Sequence, residues 1–259
     1  MKNILTRTLS GTLLVAGIMA ATFWCRWSRD IMLMLIAVGC QWELLGLMGR
    51  KGAMRVAVCV VSALLMLSFS VWGASYEVAF AVVAMMLARF ASELYTKSDN
   101  PVGGVAADVL SFAYTAVPAA VAMTLGSMPL ALLFVMVWIN DVGAFLVGST
   151  MGRHKLFVRL SPSKTWEGCI GGVALTVAAG IVTARFVTGG HMWQWALVGL
   201  LTAIGAVLGD LFESMIKRSV GVKDSGNVIP GHGGMLDRFD ALLFAAPLFC
   251  IAYNVIFKL

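Results

Sequence analysis

The sequence predicts an all-α, polytopic membrane protein with about nine transmembrane helices. Apolar residues make up 60% of the 259 positions and charged residues only 12%, against about 25% charged in a soluble domain. The mean hydropathy is correspondingly high, at +0.90. The apolar residues also fall into runs that approach the roughly 20 residues needed to cross a bilayer as a helix. These runs are too continuously apolar for barrel strands, which alternate. Inside hydrocarbon only helices or closed barrels satisfy the backbone.

The first run, about 8–25, follows Lys2 and Arg7 as a signal peptide would. No small-residue cleavage site leads from it into a soluble domain, so it is read as a span. Runs at about 31–49 and 55–72 come next. The fourth, about 76–92, is parted from the third only by Trp72-Gly73-Ala74-Ser75, and fusion of that pair would change the topology by one. The fifth, about 104–125, completes the N-terminal spans of residues 1–125. A C-terminal half, about 128–259, opens with the sixth run at about 128–149 and continues with runs at about 168–188, 193–214 and 239–257. With no internal repeat or low-complexity linker, residues 1–259 are read as a single integral membrane domain. Cys25, Cys40, Cys59, Cys169 and Cys250 are scattered singly, which argues against a disulfide framework or a zinc site.

Charge sets the expected orientation. With nine spans, the N-terminus and the loops after spans two, four, six and eight share one face and collect fifteen of the nineteen Lys and Arg residues; Arg26, Arg29, Arg185 and Lys258 fall on the other. The positive-inside rule makes the richer face cytoplasmic. The two most charged loops, about 150–167 and 215–238, then meet the cytosol, where nucleotides are. Basic flanks also attract anionic membrane lipids. They are spread over short loops without a soluble module, which excludes a nucleic-acid-binding protein.

The chemistry concentrates between Gly205 and Asp240, where five carboxylates and four Lys or Arg lie among glycines. Ionisable groups beside a bilayer usually mark a pathway or a site. Asp210, Ser214, Lys217 and Arg218 have spacings that let them line one face at the end of span eight. Asp237 and Asp240 are i and i+3 at the start of span nine. Asp210, Asp237 and Asp240 are therefore expected to converge as hard oxygen ligands for Mg²⁺. Capping of span nine is the other use for Asp237 and Asp240, but it would not require His232-Gly233-Gly234 or Lys217-Arg218. Lys217, Arg218, Lys223 and Arg238 are candidate phosphate ligands. His232 fits a turn residue, a proton donor or a phosphate contact, while Gly233 and Gly234 allow backbone to approach an anion.

A second cluster lies around span six and the loop after it. Asn140-Asp141 within an apolar run calls for a polar cavity or an interhelical role. Ser163, Lys164 and Thr165 precede span seven, where they suit either a bound phosphate or a helix cap.

At these residues the chain resembles the phosphatidate cytidylyltransferases, or CDP-diacylglycerol synthases. The resemblance rests on Ser214, Lys217-Arg218, Lys223-Asp224, Pro230-Gly231-His232-Gly233-Gly234 and Asp237-Arg238-Phe239-Asp240, together with Asp141 and the block from Ser161 to Gly168. It covers about residues 138–245. The first 130 residues share only hydropathy and span count with the family. Ser163 stands where the family commonly has a second lysine, and Ser149 where it often has arginine.

The resemblance implies transfer of a cytidylyl group from CTP to phosphatidic acid, giving CDP-diacylglycerol and pyrophosphate for phospholipid biosynthesis. It implies Mg²⁺, with room for a second cation, held by Asp210, Asp237 and Asp240, with Asp141 and Asp224 in the same polar cavity. Phosphates would be held by Lys164, Lys217, Arg218 and Lys223 and oriented by Ser163 and Ser214. It further implies a bacterial-type inner-membrane protein, which could form a homodimer. The lipid substrate calls for a cavity open to both bilayer and cytosol. Two other readings fit parts of the pattern: a different lipid-phosphate nucleotidyl- or phosphotransferase, and a cation-coupled transporter using Asp141, Asp210 and Asp237. The transporter reading fits poorly with polar clusters at one membrane face instead of mid-depth.

Overall fold

The computed structural model describes the backbone of residues 2–96, 99–188, 191–226 and 233–257, and within these the side chains from residue 10 onward except 187 and 188. Each of the nine expected spans coincides with a helical run. In order these are α1 (Lys2–Trp24), α2 (Arg26–Leu47), α3 (Gly52–Trp72), α4 (Tyr76–Leu94), α5 (Pro101–Ser111) continued by α6 (Val117–Met123), α7 (Ser127–Met151), α8 (Trp166–Thr183), α9 (Met192–Ser219) and α10 (Leu236–Phe257).

Seven of these runs are long and apolar enough to cross a membrane: α2, α3, α5–α6, α7, α8, α9 and α10. In α1 the described apolar part is the shorter stretch Ser10–Trp24. In α4, Glu77, Arg89 and Glu93 interrupt its 19 residues. The chain is thus an all-α polytopic membrane protein with seven clear candidate spans among the described residues, and its count of nine rests on the sequence pattern.

Local chemistry explains the breaks. The junction between the third and fourth runs is a true interruption: Gly73 ends α3 with φ of 70°, and the hydroxyl of Ser75 caps α4 by accepting from Val78 N at 3.4 Å. Asn100 caps α5 by accepting from Gly103 N at 2.9 Å, with Pro101 in the first turn. Residues Phe112–Ala116 form a wide π-helical turn between α5 and α6. Pro118 explains it, because it offers no N–H and its ring crowds the carbonyl four residues back. One departure from all-α is a short antiparallel hairpin in the loop after α7, β1 (Lys155–Phe157) and β2 (Ser161–Thr165), with Lys155 opposite Thr165 and Phe157 opposite Ser161.

The residues cluster into two compact units. The first comprises residues 1–124 and 224–236. Its core is the face of α2 carrying Leu33, Ile36, Cys40 and Leu44, all almost fully buried at helical spacing. A charge cluster closes one end: Asp108 on α5 accepts from Arg50 Nε and Nη2 at 2.9 and 2.8 Å and from Arg89 Nε at 2.6 Å, while Arg89 also binds Glu93 at 2.7 Å.

The second unit comprises residues 125–223 and 237–259. Here α7 packs along α8 and α8 along α9. Glycines set the spacing. A Cβ at Gly172 of α8 would lie 2.7 Å from the Asn140 carbonyl of α7, and one at Gly199 of α9 would lie 2.7 Å from the Thr176 carbonyl of α8. Small residues at helix contacts are how membrane helices gain dispersion contact when lipid offers no hydrophobic drive. Trp195 of α9 is buried against Tyr253 and Phe257 of α10.

Candidate active site

The site grows from the end of α9. Asp210, Glu213 and Lys217 recur at i, i+3 and i+7 and therefore share a face. That face meets the first turns of α10. One carboxylate oxygen from each of Asp210, Glu213 and Asp240 lies within 4.8 Å of the others. Glu213 is 2% exposed and Asp240 8%. Lys217 Nζ bridges the group, 2.6 Å from Glu213 Oε2 and 2.7 Å from Asp237 Oδ1. A second ammonium, that of Lys164 on β2, pairs with Asp210.

This donor set fits a divalent cation. All three groups offer hard oxygen ligands, and Glu213 Oε1 is buried without a hydrogen-bond partner among the described residues. Leaving a buried carboxylate oxygen unsatisfied is costly, and a metal ion would remove that cost. Asp210, Glu213 and Asp240 could thus hold Mg²⁺, with coordination places left for water and phosphate.

Beside the cluster is a cavity of about 390 Å³ lined by Asn140, Asp141, Ser163, Lys164, Thr165 and Asp210, among others. Its polar wall comes from α7 and the hairpin. Asn140 is 3% exposed, and its Oδ1 has no partner among the described residues. Phe145, 72% exposed, lines the same cavity and gives it an apolar rim. The hairpin explains how Ser163 and Lys164 reach this place: β2 carries both to the cavity wall. The helix cap belongs to Thr165, whose hydroxyl accepts from Gly168 N at 3.2 Å. Capping therefore does not account for Ser163 or Lys164.

The other expected residues are distributed as follows. Asp237 stands at Lys217 in this structure, while Glu213 completes the carboxylate group with Asp210 and Asp240. Ser214 is half-buried on α9 and Arg238 is exposed on α10. Arg218 Nε donates to the Leu160 carbonyl at 3.2 Å and Nη1 to the Val222 carbonyl at 3.1 Å, fastening the hairpin turn to the end of α9. Lys223 is exposed at the end of its segment in the second unit. Asp224, Gly233 and Gly234 belong to the first unit. There Gly233 adopts φ of 85°, a conformation glycine takes without strain, and Gly234 is buried against Glu43. His232 and Lys97 lie outside the described residues.

Glu213 is absent from the set expected from sequence, although its place three residues after Asp210 and four before Lys217 is a signal for it.

The cytidylyltransferase family model matches residues 5–256, nearly the whole chain. The chain belongs to the cytidylyltransferase family. Among proteins similar to it is the phosphatidate cytidylyltransferase of Staphylococcus haemolyticus, 48% identical over 116 residues that cover 44% of this chain and 45% of that protein. The phosphatidate cytidylyltransferase of Brucella suis is 47% identical over 116 residues, covering 45% and 43%. That of Staphylococcus aureus is 48% identical over 117 residues, covering 44% and 45%. The matched part thus spans a little under half the length of these relatives.

Proposed function

We propose that this protein transfers the cytidylyl group of CTP to phosphatidic acid, releasing pyrophosphate and forming CDP-diacylglycerol. The observation that carries the proposal is the Asp210, Glu213 and Asp240 cluster. It is flanked by two ammonium groups beside a cavity with a polar wall and an apolar rim, in a helical membrane protein of the cytidylyltransferase family. The relatives' names supply the lipid.

In the reaction an oxygen of the phosphatidate phosphate attacks the α-phosphorus of CTP. The bond from that phosphorus to the β-phosphate oxygen breaks, and pyrophosphate leaves with the electron pair. A phosphate monoester is already a competent nucleophile, so the residues need only align two anions and offset their repulsion. Lys164 is placed to hold a phosphate at the cavity mouth, and Ser163 to orient it. Lys217, fixed by Glu213 and Asp237, supplies positive charge that stays in place through the reaction. Mg²⁺, when held by Asp210, Glu213 and Asp240, would screen the triphosphate and the developing charge on pyrophosphate. Asp141 and a second cation would serve the same cavity. Phe145 supports a lipid-facing approach, because it offers the acyl chains an apolar edge next to the polar wall.

The basic-residue asymmetry supports a cytoplasmic N-terminus and cytoplasmic site loops in a bacterial inner membrane. The family resemblance supports a homodimer, which cross-linking in native membranes would test. The function is tested by pyrophosphate release from purified protein given CTP and phosphatidic acid, with and without Mg²⁺ and with diacylglycerol as the control lipid. Release should need all three components. Release with diacylglycerol, or none with phosphatidic acid across several divalent ions, would reject the assignment.

A further inference from the structure

Glu43 sits on α2, far in sequence from every residue placed in the site. It is 4% exposed, and no salt bridge reaches it among the described residues. A buried carboxylate needs compensation, and among the described residues its hydrogen bonds come from one segment of the chain. Ser225 Oγ donates to Oε2 at 2.9 Å, Met235 N to Oε1 at 2.8 Å and Leu236 N to Oε2 at 2.8 Å. One side chain therefore ties down both ends of the stretch that carries His232, Gly233 and Gly234.

The surrounding residues are shaped to allow this. A Cβ at Gly226 would lie 2.8 Å from Glu43 Oε1, and one at Gly234 would lie 2.5 Å from Oε2 and 2.8 Å from Gly226 N. The two glycines thus let the ends of the stretch close on each other over the carboxylate. One turn earlier on α2, Gly39 has no side chain where the Met235 thioether packs. Leu236 is also the first residue of α10, so Glu43 satisfies an N–H that the helix itself cannot. Its negative charge suits that end of the helix dipole. Asp237 and Asp240 follow one and four residues later on the same helix.

We propose that Glu43 is a positioning residue: its carboxylate ties residues 225–226 and 234–236 to α2 and holds the start of α10 in the arrangement that turnover requires. This rests on the function proposed above. It gives α2, which carries none of the residues placed in the site, a defined part in the reaction without contact to substrate.

The test compares wild type with Glu43→Gln, which keeps the side-chain shape but turns an amide NH₂ toward the donors, and with Ser225→Ala, which removes one bond of the three. The full-length proteins are purified in detergent. Backbone hydrogen exchange over 233–237 is measured beside kcat and KM for CTP and phosphatidic acid. Glu43→Gln should exchange roughly tenfold faster at Met235 and Leu236 and lose about tenfold or more in kcat, since small displacements of reacting groups are costly. KM for phosphatidic acid should stay within about threefold of wild type. Ser225→Ala should move both readouts in the same direction by less.

Wild-type exchange in Glu43→Gln would overturn the clamp. Faster exchange with undiminished kcat would reduce Glu43 to a structural role and overturn the proposal equally. If Glu43→Gln fails to fold, Ser225→Ala decides on the same two readouts. If wild type itself releases no pyrophosphate, the functional reading fails, and the exchange comparison still decides whether Glu43 ties the segment down.

Discussion

Substituting Glu213 by Gln tests the carboxylate cluster directly, because the change removes a charge and almost no volume. Without metal, the change should not destabilise the protein. With an effective dielectric of about 20, like charges at the 4.8 Å limit of the cluster repel by about 3.5 kcal/mol each, and Asp210 and Asp240 both face Glu213. Lys217, 2.6 Å away, attracts the same carboxylate by about 6 kcal/mol on that scale. Asp237, held 2.7 Å from the same ammonium, is a further like charge beside Glu213, so the repulsion lost at least matches the attraction lost. With metal the balance changes. At a concentration 100 times its Kd, a cation stabilises the folded protein by about 2.7 kcal/mol, whereas a site weakened about a hundredfold gains only about 0.4 kcal/mol.

For a chain of this size 1 kcal/mol corresponds to about 2–4 °C in Tm, so Mg²⁺ should raise wild type by about 5–11 °C and Glu213→Gln by about 1 °C. The buried thiols of Cys40, Cys59 and Cys250 make the assay convenient, since a thiol-reactive dye reports their exposure on heating. Pyrophosphate release should show the matching rise in the Mg²⁺ needed for half-maximal rate. A Glu213→Gln protein with the wild-type Mg²⁺ shift and the wild-type Mg²⁺ requirement would remove Glu213 from the metal site. A variant already about 5 °C less stable without metal would show that the charge balance was drawn wrongly.

Asp237→Asn should lower kcat by about a hundredfold while leaving the protein folded; near-wild-type turnover at ordinary Mg²⁺ would take Asp237 out of the site. Lys164→Ala should raise KM for CTP about tenfold, as expected from loss of one charged phosphate contact, and an unchanged KM would place the triphosphate elsewhere. Gly209→Ala would put a methyl group about 3.0 Å from Ala241 Cα. It should destabilise by about 1–3 kcal/mol through overpacking, read as a lower Tm, and a neutral result would mean that α9 and α10 can part without loss. Lys97→Ala, outside both sequence clusters, should leave turnover unchanged, and a collapse there would reveal a part of the site not yet mapped.

The span pattern was legible because the runs are long and apolar, and at several ends a residue with a local mechanism marks the break. Gly73 and Ser75 separate α3 from α4 by a left-handed turn and a hydroxyl cap, so the pair most open to fusion is divided by chemistry visible in four letters. The hairpin was not legible. Its strands are only three and five residues long, and their pairing is a tertiary fact that no alternation in 155–165 announces. Of the clustered carboxylates, Asp210 and Asp240 could be paired by their positions on facing helix ends. The choice between Glu213 and Asp237 as their companion depends on where Lys217 points, and helical spacing leaves a long, flexible side chain undetermined. Glu43 was hidden for a further reason: its partners are backbone N–H groups and a serine about 190 residues away, and backbone donors leave no mark on composition.

How a cluster of acids is assembled beside a bilayer follows from the glycines of α9. Gly205 and Gly209 are one turn apart on the face that meets α10. A Cβ at Gly205 would lie 2.7 Å from Ala245 Cα, and one at Gly209 would press on the carbonyl of Asp240 itself. Side chains at these positions would hold the two backbones apart. The contact at Gly209 is one residue before Asp210 and one turn before Glu213, so the point of closest approach fixes the distance that the three carboxylates must bridge. In lipid no hydrophobic force would pull the helices together against mutual carboxylate repulsion. Close backbone packing and the ammonium of Lys217 must together offset it. The same contacts that pack α9 against α10 thus set the geometry of the carboxylate cluster, so a methyl group at residue 209 is expected to weaken the proposed Mg²⁺ binding as well as packing.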